Sequence, residues 1–258
     1  DAILVLDRNY TVISVNQAFS DLMGYAAEDV VGQDAPGLRS GVHDDAFYDE
    51  VWEYVARHGH WEGEIWTRRR DGAEFPCWVA LTAIRSGDAE LADYMAILSD
   101  ITDRKREEEH NRHLAEHDFL TDLPNRVLLL DRLRQALAAA RRQHTRVAVM
   151  FIDLDRFKAI NDGFGHQAGD HVLKEIAARL MRCVRGVDTV SRHGGDEFVV
   201  ILADIGGVDQ AAHVAQAVMH SIVQPVNVAG HELTVSVSIG ISIYPGDGAD
   251  IDTLTQHA

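Results

Sequence analysis

The spacing of apolar residues changes period several times along the chain, and each change marks an element. Residues 2–15 carry AILVL and VISV around Asp7-Arg8-Asn9, which predicts two short strands joined by a turn. Small helical pieces follow. Between 44 and 59, Phe47, Val51, Tyr54 and Val55 recur at helical spacing. WEGEIWTRRR and AEFPCWVALTAI then flank Asp71-Gly72, a dipeptide suited to a tight hairpin turn. LADYMAILSDI predicts a last strand. Strands, helices and three antiparallel strands in that order make a small α+β unit of roughly 100 residues.

The pattern then breaks. Residues 100–118, DITDRKREEEHNRHLAEHD, are charged, free of Gly and Pro, and apolar at Ile101, Leu114 and Ala115. Polar groups stand where a coiled coil wants leucine, so the stretch predicts a joint helix that self-associates weakly and needs a partner. LTDLPNR is a turn broken by Pro124. Leu129, Leu130, Leu133 and Leu137 predict a helix from about 127 to 142. VAVMFIDL reads as a buried strand and GDHVLKEIAARLMRCV as an amphipathic helix. DTVSRH and EFVVILA read as strands around Gly194-Gly195, VDQAAHVAQAVMHSIV as a helix, and ELTVSVSIGISI as one long strand. This βαββαβ order is the ferredoxin-like, split-βαβ arrangement.

Composition narrows the picture. A chain of 258 residues fits two ordinary domains better than one, and 46% hydrophobic residues suffice for packed cores. A formal net charge of -17 argues against nucleic-acid binding, which needs a basic surface. It leaves room for an anionic ligand, because one Mg²⁺ or a few local Lys and Arg reverse the field in a cleft. Cys77 and Cys183 form no disulfide framework, so a reducing cytoplasm is the expected compartment. No stretch of about 18 apolar residues and no signal peptide is visible, so no membrane contact is expected of this chain. It begins within a strand pattern and stops as IDTLTQHA starts a helix, as expected of a piece of a longer protein.

Carboxylates converge in the second half. The strand ending at residue 154 carries Asp153-Leu154-Asp155, and the hairpin carries Asp196-Glu197 after its glycines. In a βαββαβ sheet these ends lie side by side and form a hard, oxygen-rich site suited to Mg²⁺ or Mn²⁺. Side chains alternate along strands, so only one of Asp153 and Asp155, and one of Asp196 and Glu197, is expected to face the cleft directly. Gly194 and Gly195 would let a nucleotide approach the backbone. Phe157 and Lys158, expected in the loop after the strand, offer backbone N–H groups and an ammonium for phosphates. Asn161, His166 and Asp170 flank the next helix, and Asn with Asp supplies the donor and acceptor mix of a guanine reader. Taken singly, each is a turn residue, a helix cap or a loop histidine. Their convergence on one cleft favours phosphoryl transfer.

Residues 118–258 resemble the GGDEF family of diguanylate cyclases, which condense two GTP into cyclic di-GMP. The resemblance is carried by Gly194-Gly195-Asp196-Glu197-Phe198, DFLTDLPNR, FIDLDRFKAINDGFGHQAGD and SVSIGIS. Asp122 departs from it, where the family usually has glycine. The resemblance implies that Asp153, the Leu154 carbonyl and Asp196 hold Mg²⁺, and that Asp196 or Glu197 helps deprotonate a 3′-hydroxyl. It implies phosphate binding by Lys158 and the backbone near Phe157, and guanine reading by Asn161 and Asp170 with His166 nearby. One GTP per domain implies a homodimer. Arg185 and Asp188 resemble the family's inhibitory site for cyclic di-GMP. The family's usual further helix, with a Lys/Arg-containing segment that contacts the triphosphate, is expected beyond residue 258.

Residues 1–102 resemble a PAS sensor domain through NQAFSDLMGYAAEDVVG, WEGEIWTRRRDGAEFPCWV and Asp100-Ile101-Thr102. Residues 103–117 form the expected signalling linker, with Asp100 and Thr102 either coupling the sheet to it or capping it. The ligand of the sensor is not legible. His43, His58 and His60 read as surface or structural histidines before haem ligands, and Trp52, Trp61, Trp66 and Trp78 as core before a flavin pocket. His110, His113 and His117 share one helix face, solvated more simply than zinc-bound. Two functions follow: a sensor-regulated diguanylate cyclase, or a GTP- or cyclic-di-GMP-binding module that controls a downstream phosphodiesterase.

Overall fold

The computed structural model describes residues 1–34, 39–86, 90–228 and 230–257. Contacts divide the chain into two compact units, Asp1–His110 and Asn111–Ala258.

In the first unit, β1 (Ala2–Asp7) and β2 (Val12–Val15) form the expected hairpin. α1 (Gln17–Met23) begins at Asn16, whose side chain accepts the Phe19 N–H, and α2 (Ala27–Val30) follows. α3 (Asp45–His58) is capped by Asp44 and ends on Gly59, whose φ of 84° suits glycine. β3 (His60–Arg68), β4 (Glu74–Ser86) and β5 (Glu90–Asp100) complete an antiparallel sheet ordered β2-β1-β5-β4-β3. Alternation along β1 buries Ala2, Leu4 and Leu6, which join Phe19, Met23 and Val55 in one core. α4 (Thr102–Glu116) starts in this unit, crosses the boundary at residue 110, and buries no residue, as its charge pattern requires.

In the second unit, α5 (Arg126–Gln143) starts on Asn125, which accepts from Val127 and Leu128 N–H, and ends on left-handed His144. β6 (Arg146–Leu154) runs into α6 (Phe157–Phe164) and α7 (His166–Cys183). β7 (Thr189–Gly194) and β8 (Glu197–Ile205) form the glycine hairpin, and α8 (Val208–Ile222) follows. β9 (Val226–Val228) pairs with β10 (His231–Leu233), then β11 (Val237–Tyr244) and α9 (Ile251–His257) close the unit. The main sheet is antiparallel in the order β11-β6-β8-β7. Residues of α7 and α8 join one core with one face of the sheet, and residues of α5 and α9 join another core with the opposite face. Val147, Ala148, Val149 and Met150 are therefore all fully buried, although they alternate in direction.

Two expectations are corrected. Phe157 and Lys158 do not lie in a loop. They form the first turn of α6, and Arg156 enters it in the left-handed region with φ 57°. ELTVSVSIGISI is not one strand. Residues 234–236 belong to no strand, and the chain passes from β10, in a separate two-stranded sheet, to β11. The break comes where the chain changes partners, from β9 for residues 231–233 to β6 for residues 237–244. Among the described residues no helix is long and apolar enough to cross a membrane.

Candidate active site

The glycine hairpin is a two-residue turn. Gly194 pairs with Glu197, leaving Gly195 and Asp196 at the tip. Gly195 has φ 56°, at the first central position where tight hairpins place glycine. A Cβ on Gly194 or Gly195 would meet no atom within 4 Å, so open space stands over the turn. The backbone, rather than crowding, requires glycine at Gly195, and the space leaves it approachable.

β6 is bonded to β8 on one side and β11 on the other. Asp153 stands opposite Glu197 and opposite Ser238, and the Leu154 N–H donates to the Asp196 carbonyl at 3.3 Å. Asp153, Leu154, Asp196 and Glu197 are thus gathered at adjoining strand ends. Desolvation first, then the charges of Asp196, Glu197 and Asp155, push the Asp153 carboxyl above its ordinary range. Among the described residues no three His, Cys, Asp or Glu side chains are already drawn round one point as a metal cage. The donors are nonetheless hard oxygens, and the repulsion on Asp153 is the kind a bound cation relieves. The set therefore fits Mg²⁺ or Mn²⁺.

Asp155 behaves differently from Asp153. Its carboxylate accepts the Ser236 hydroxyl at 2.7 Å and the Ser238 hydroxyl at 2.8 Å, and these two bonds hold it below the usual range. A cleft of about 830 Å³ runs past Asp153, Asp155, Arg156, Phe164, Glu232 and Ser236, so both acids of the DLD stretch line it rather than the expected one, as residues two apart share a face.

The base-reading candidates sit where α6 meets α7. A Cβ on Gly169 would fall 2.0 Å from Asn161 Oδ1 and 3.0 Å from Phe157 Cζ. Only glycine lets the half-buried Asn161 amide lie against α7, one residue before exposed Asp170. Exposed His166 opens α7, and exposed Lys158 stands in the first turn of α6. The N-terminus of α6 has no side-chain cap, and buried Phe157 anchors it in the core.

Arg185 and Asp188 touch each other. Asp188 accepts from Arg185 N–H (2.9 Å), Nε (3.1 Å) and Nη2 (2.9 Å) and from the Ala203 N–H (3.1 Å). Its side chain is 1% exposed and that of Arg185 is 48% exposed. Arg185 also donates to the Ala203 carbonyl at 2.7 Å, and the hydrogen bond to Asp188 raises its pKa further.

Sequence reasoning missed Arg192 and Asp118. Arg192 Nε and Nη2 donate to the Gly195 carbonyl at 3.0 and 2.7 Å, and Nη1 donates to both Asp118 oxygens at 2.9 and 3.0 Å. The Arg192 N–H donates to the Pro124 carbonyl at 3.0 Å. Burial pushes the Asp118 carboxyl up, but Thr121 and Arg192 outweigh it and hold it below its ordinary value. The signal was a basic residue two before the glycines and an acid opening DFLTD. Asp122 takes φ 60°, the left-handed conformation that suits glycine, and its carboxylate lies 2.7 Å from His113 Nε2.

In the first unit, Asp100 accepts the Thr102 N–H at 2.8 Å and pairs with Arg69 at 2.6 Å, so it caps α4 and ties its start to the residue after β3. A cavity of about 700 Å³ is lined by Tyr10, Arg39, Tyr48, Trp52, Glu53 and Leu81 among others. Trp61, Trp66, Trp78, His43, His58 and His60 are not in its described lining. His43 Nε2 instead accepts the Trp66 N–H at 3.1 Å, and His113 and His117 stack at 4.1 Å.

Comparison with known proteins identifies the family. A family model described as "Diguanylate cyclase, GGDEF domain" matches residues 115–258, and a PAS-domain model matches residues 1–103. The bifunctional diguanylate cyclase/cyclic di-GMP phosphodiesterase MucR of Pseudomonas aeruginosa is 51% identical over 52% of this chain and 20% of its own length. Diguanylate cyclase TpbB of the same organism is 41% identical over 67% of this chain and 41% of its own length. The chain thus spans well under half of these relatives. Among solved structures, the coiled coil and GGDEF domain of DgcB from Caulobacter crescentus in complex with c-di-GMP aligns with a TM-score of 0.54 and 27% identity. It covers 60% of this chain and 82% of that one. The chain belongs to the GGDEF diguanylate cyclase-domain family, with a PAS domain preceding the GGDEF domain.

Proposed function

We propose that this chain is the sensor and catalytic part of a diguanylate cyclase, which condenses two GTP into cyclic di-GMP and releases two pyrophosphates. The observation that carries the reading is the crowding of Asp153, Asp196 and Glu197 at adjoining strand ends beside an open glycine turn. Asp153, the Leu154 carbonyl and Asp196 would hold Mg²⁺ or Mn²⁺, which supplies charge neutralisation for the α-phosphate and the leaving pyrophosphate. Glu197 or Asp196 takes the proton of a 3′-hydroxyl as its oxygen attacks the α-phosphorus of the other GTP. Lys158 and the uncapped N–H groups at Phe157 and Lys158 bind phosphate oxygens. Asn161 and Asp170 read the guanine edge, with His166 beside them. Each domain holds one nucleotide, so two copies meet face to face, and the reaction belongs to a homodimer. The PAS domain regulates that meeting from the cytoplasm, where GTP is supplied.

Arg185 serves as the contact for inhibitory cyclic di-GMP. Its exposed guanidinium is held in place by Asp188, which is itself buried and saturated. A second reading keeps the nucleotide site but makes it regulatory: GTP or cyclic di-GMP bound here controls a downstream phosphodiesterase. The bifunctional name of MucR, of which this chain matches only a fifth, supports keeping it in view. The test is full-length protein with GTP and Mg²⁺. Cyclic di-GMP that disappears in Asp196→Ala supports the cyclase, whereas GTP binding without product supports the regulatory module.

A further inference from the structure

The proposed mechanism leaves Asp155 without a task. It lines the same cleft as Asp153, two residues along, yet its oxygens are occupied within the chain. Its N–H donates to the Ser236 carbonyl at 2.9 Å, while its carboxylate accepts the hydroxyls of Ser236 and Ser238. These three bonds grip β11 on either side of Val237. Val237 is the residue in register with Leu154.

Their position matters because β11 is weakly held at this end. It is an edge strand whose one sheet partner is β6, and the three residues before it belong to no strand. An edge strand entered from an irregular segment frays from that end. Fraying here would release Leu154 on one side, leaving the β8 side, with the Asp153–Glu197 pairing and the Leu154 N–H bond to the Asp196 carbonyl, to hold the strand end. Asp153 would loosen with it, because Asp153 pairs with Ser238. Two hydroxyl bonds to an ionised carboxylate are of the stronger, charge-assisted kind.

We propose that Asp155 is a positioning residue: with Ser236 and Ser238 it staples β11 to the end of β6, and so fixes the Asp153 carboxylate and the Leu154 carbonyl opposite the Asp196 turn. The inference rests on the cyclase reading for its catalytic meaning, but the staple itself can be tested without turnover. Asp155 acts through its neighbours and makes no contact with substrate in this role.

The experiment uses the full chain and four variants: Asp155→Ala, Ser236→Ala with Ser238→Ala, the triple combination, and Ser238→Thr. Amide hydrogen exchange of metal-free protein is read at 153–156 and 236–238, and the apparent Mg²⁺ constant, kcat and GTP KM are read with GTP. The serine pair variant, which keeps the Asp155 charge, is expected to match Asp155→Ala. Both should speed local exchange and raise the Mg²⁺ constant by about tenfold, the size of one charge-assisted hydrogen bond. GTP KM should move less than about twofold, and the triple variant should be no worse than either, since all three remove one staple. Ser238→Thr keeps the hydroxyl and should behave as wild type. Normal exchange and Mg²⁺ dependence in the serine variant, beside a defective Asp155→Ala, overturns the staple and makes Asp155 a ligand or a charge. Additive effects overturn it as well. If wild type makes no cyclic di-GMP, the cyclase reading falls, while the exchange measurement still decides the staple.

Discussion

Removing the Arg192 side chain tests how the glycine turn is held. Arg192 makes four hydrogen bonds through its guanidinium, two to the Gly195 carbonyl and two to Asp118. The side chains of Arg192 and Asp118 are 9% and 14% exposed, so this pair is far from a surface ion pair. Arg192→Ala strands a buried carboxylate and a turn carbonyl together, which costs about 3 kcal/mol. In a unit of this size that lowers the melting temperature by about 6–12 °C. Asp118→Asn keeps an acceptor for Thr121 and should cost about 1–2 kcal/mol. The two changes share one interaction, so the double variant should be less destabilised than the sum. Asp118 has a folded pKa below its unfolded value. Its contribution is present above the unfolded value and is lost as pH falls through the folded one, so the coupling persists at neutral pH and fades below about pH 4. Thermal and urea unfolding of the second unit, repeated from pH 3 to 8, measures all of this. Additive single effects, or coupling that fades on raising the pH from 5 to 8, would refute the reasoning.

Four further outcomes follow from the same geometry. Gly169→Ala should raise the GTP KM and cost about 1–3 kcal/mol, because its Cβ would displace Asn161 and press on Phe157. Gly195→Ala meets no neighbour, so it should cost only the left-handed conformation, about 1–2 kcal/mol, measured by denaturant unfolding. Asp188→Ala should destabilise by about 2–4 kcal/mol because Arg185 and Ala203 lose their buried acceptor; Arg185→Ala should be milder and should relieve inhibition by added cyclic di-GMP. Burial pushes the Cys77 thiol up to about 12, so native protein treated with a thiol reagent at pH 8 should label at Cys183 and spare Cys77, as read by peptide mass.

Much of the architecture was legible because it rests on local periodicity. The leucines of α5 and the apolar face of α7 were readable, and Asp44 and Asn125 stand as caps where the periodic runs begin. What escaped was decided by contacts distant in sequence. ELTVSVSIGISI alternates well enough for one strand, but its two ends pair with different partners, 231–233 with β9 and 237–244 with β6, and the segment divides between them. The DLD motif was read with one of its acids at the cleft and the other without a role; that Asp155 is bound to hydroxyls 81 and 83 residues away was not legible. Arg192 and Asp118 are 74 residues apart, so neither pattern nor spacing joined them. Asp122 was visible only as a departure from glycine, and the chain adopts glycine's conformation there all the same.

The Arg185–Asp188 pair also constrains how this protein can change over generations. Asp188 serves its own chain with four bonds, so substituting it damages the hairpin before any ligand is considered. Arg185 is half exposed, and its loss costs the fold less. The outer member of the pair can therefore be exchanged at small cost to the fold, whereas any change at the inner acid must first replace four hydrogen bonds.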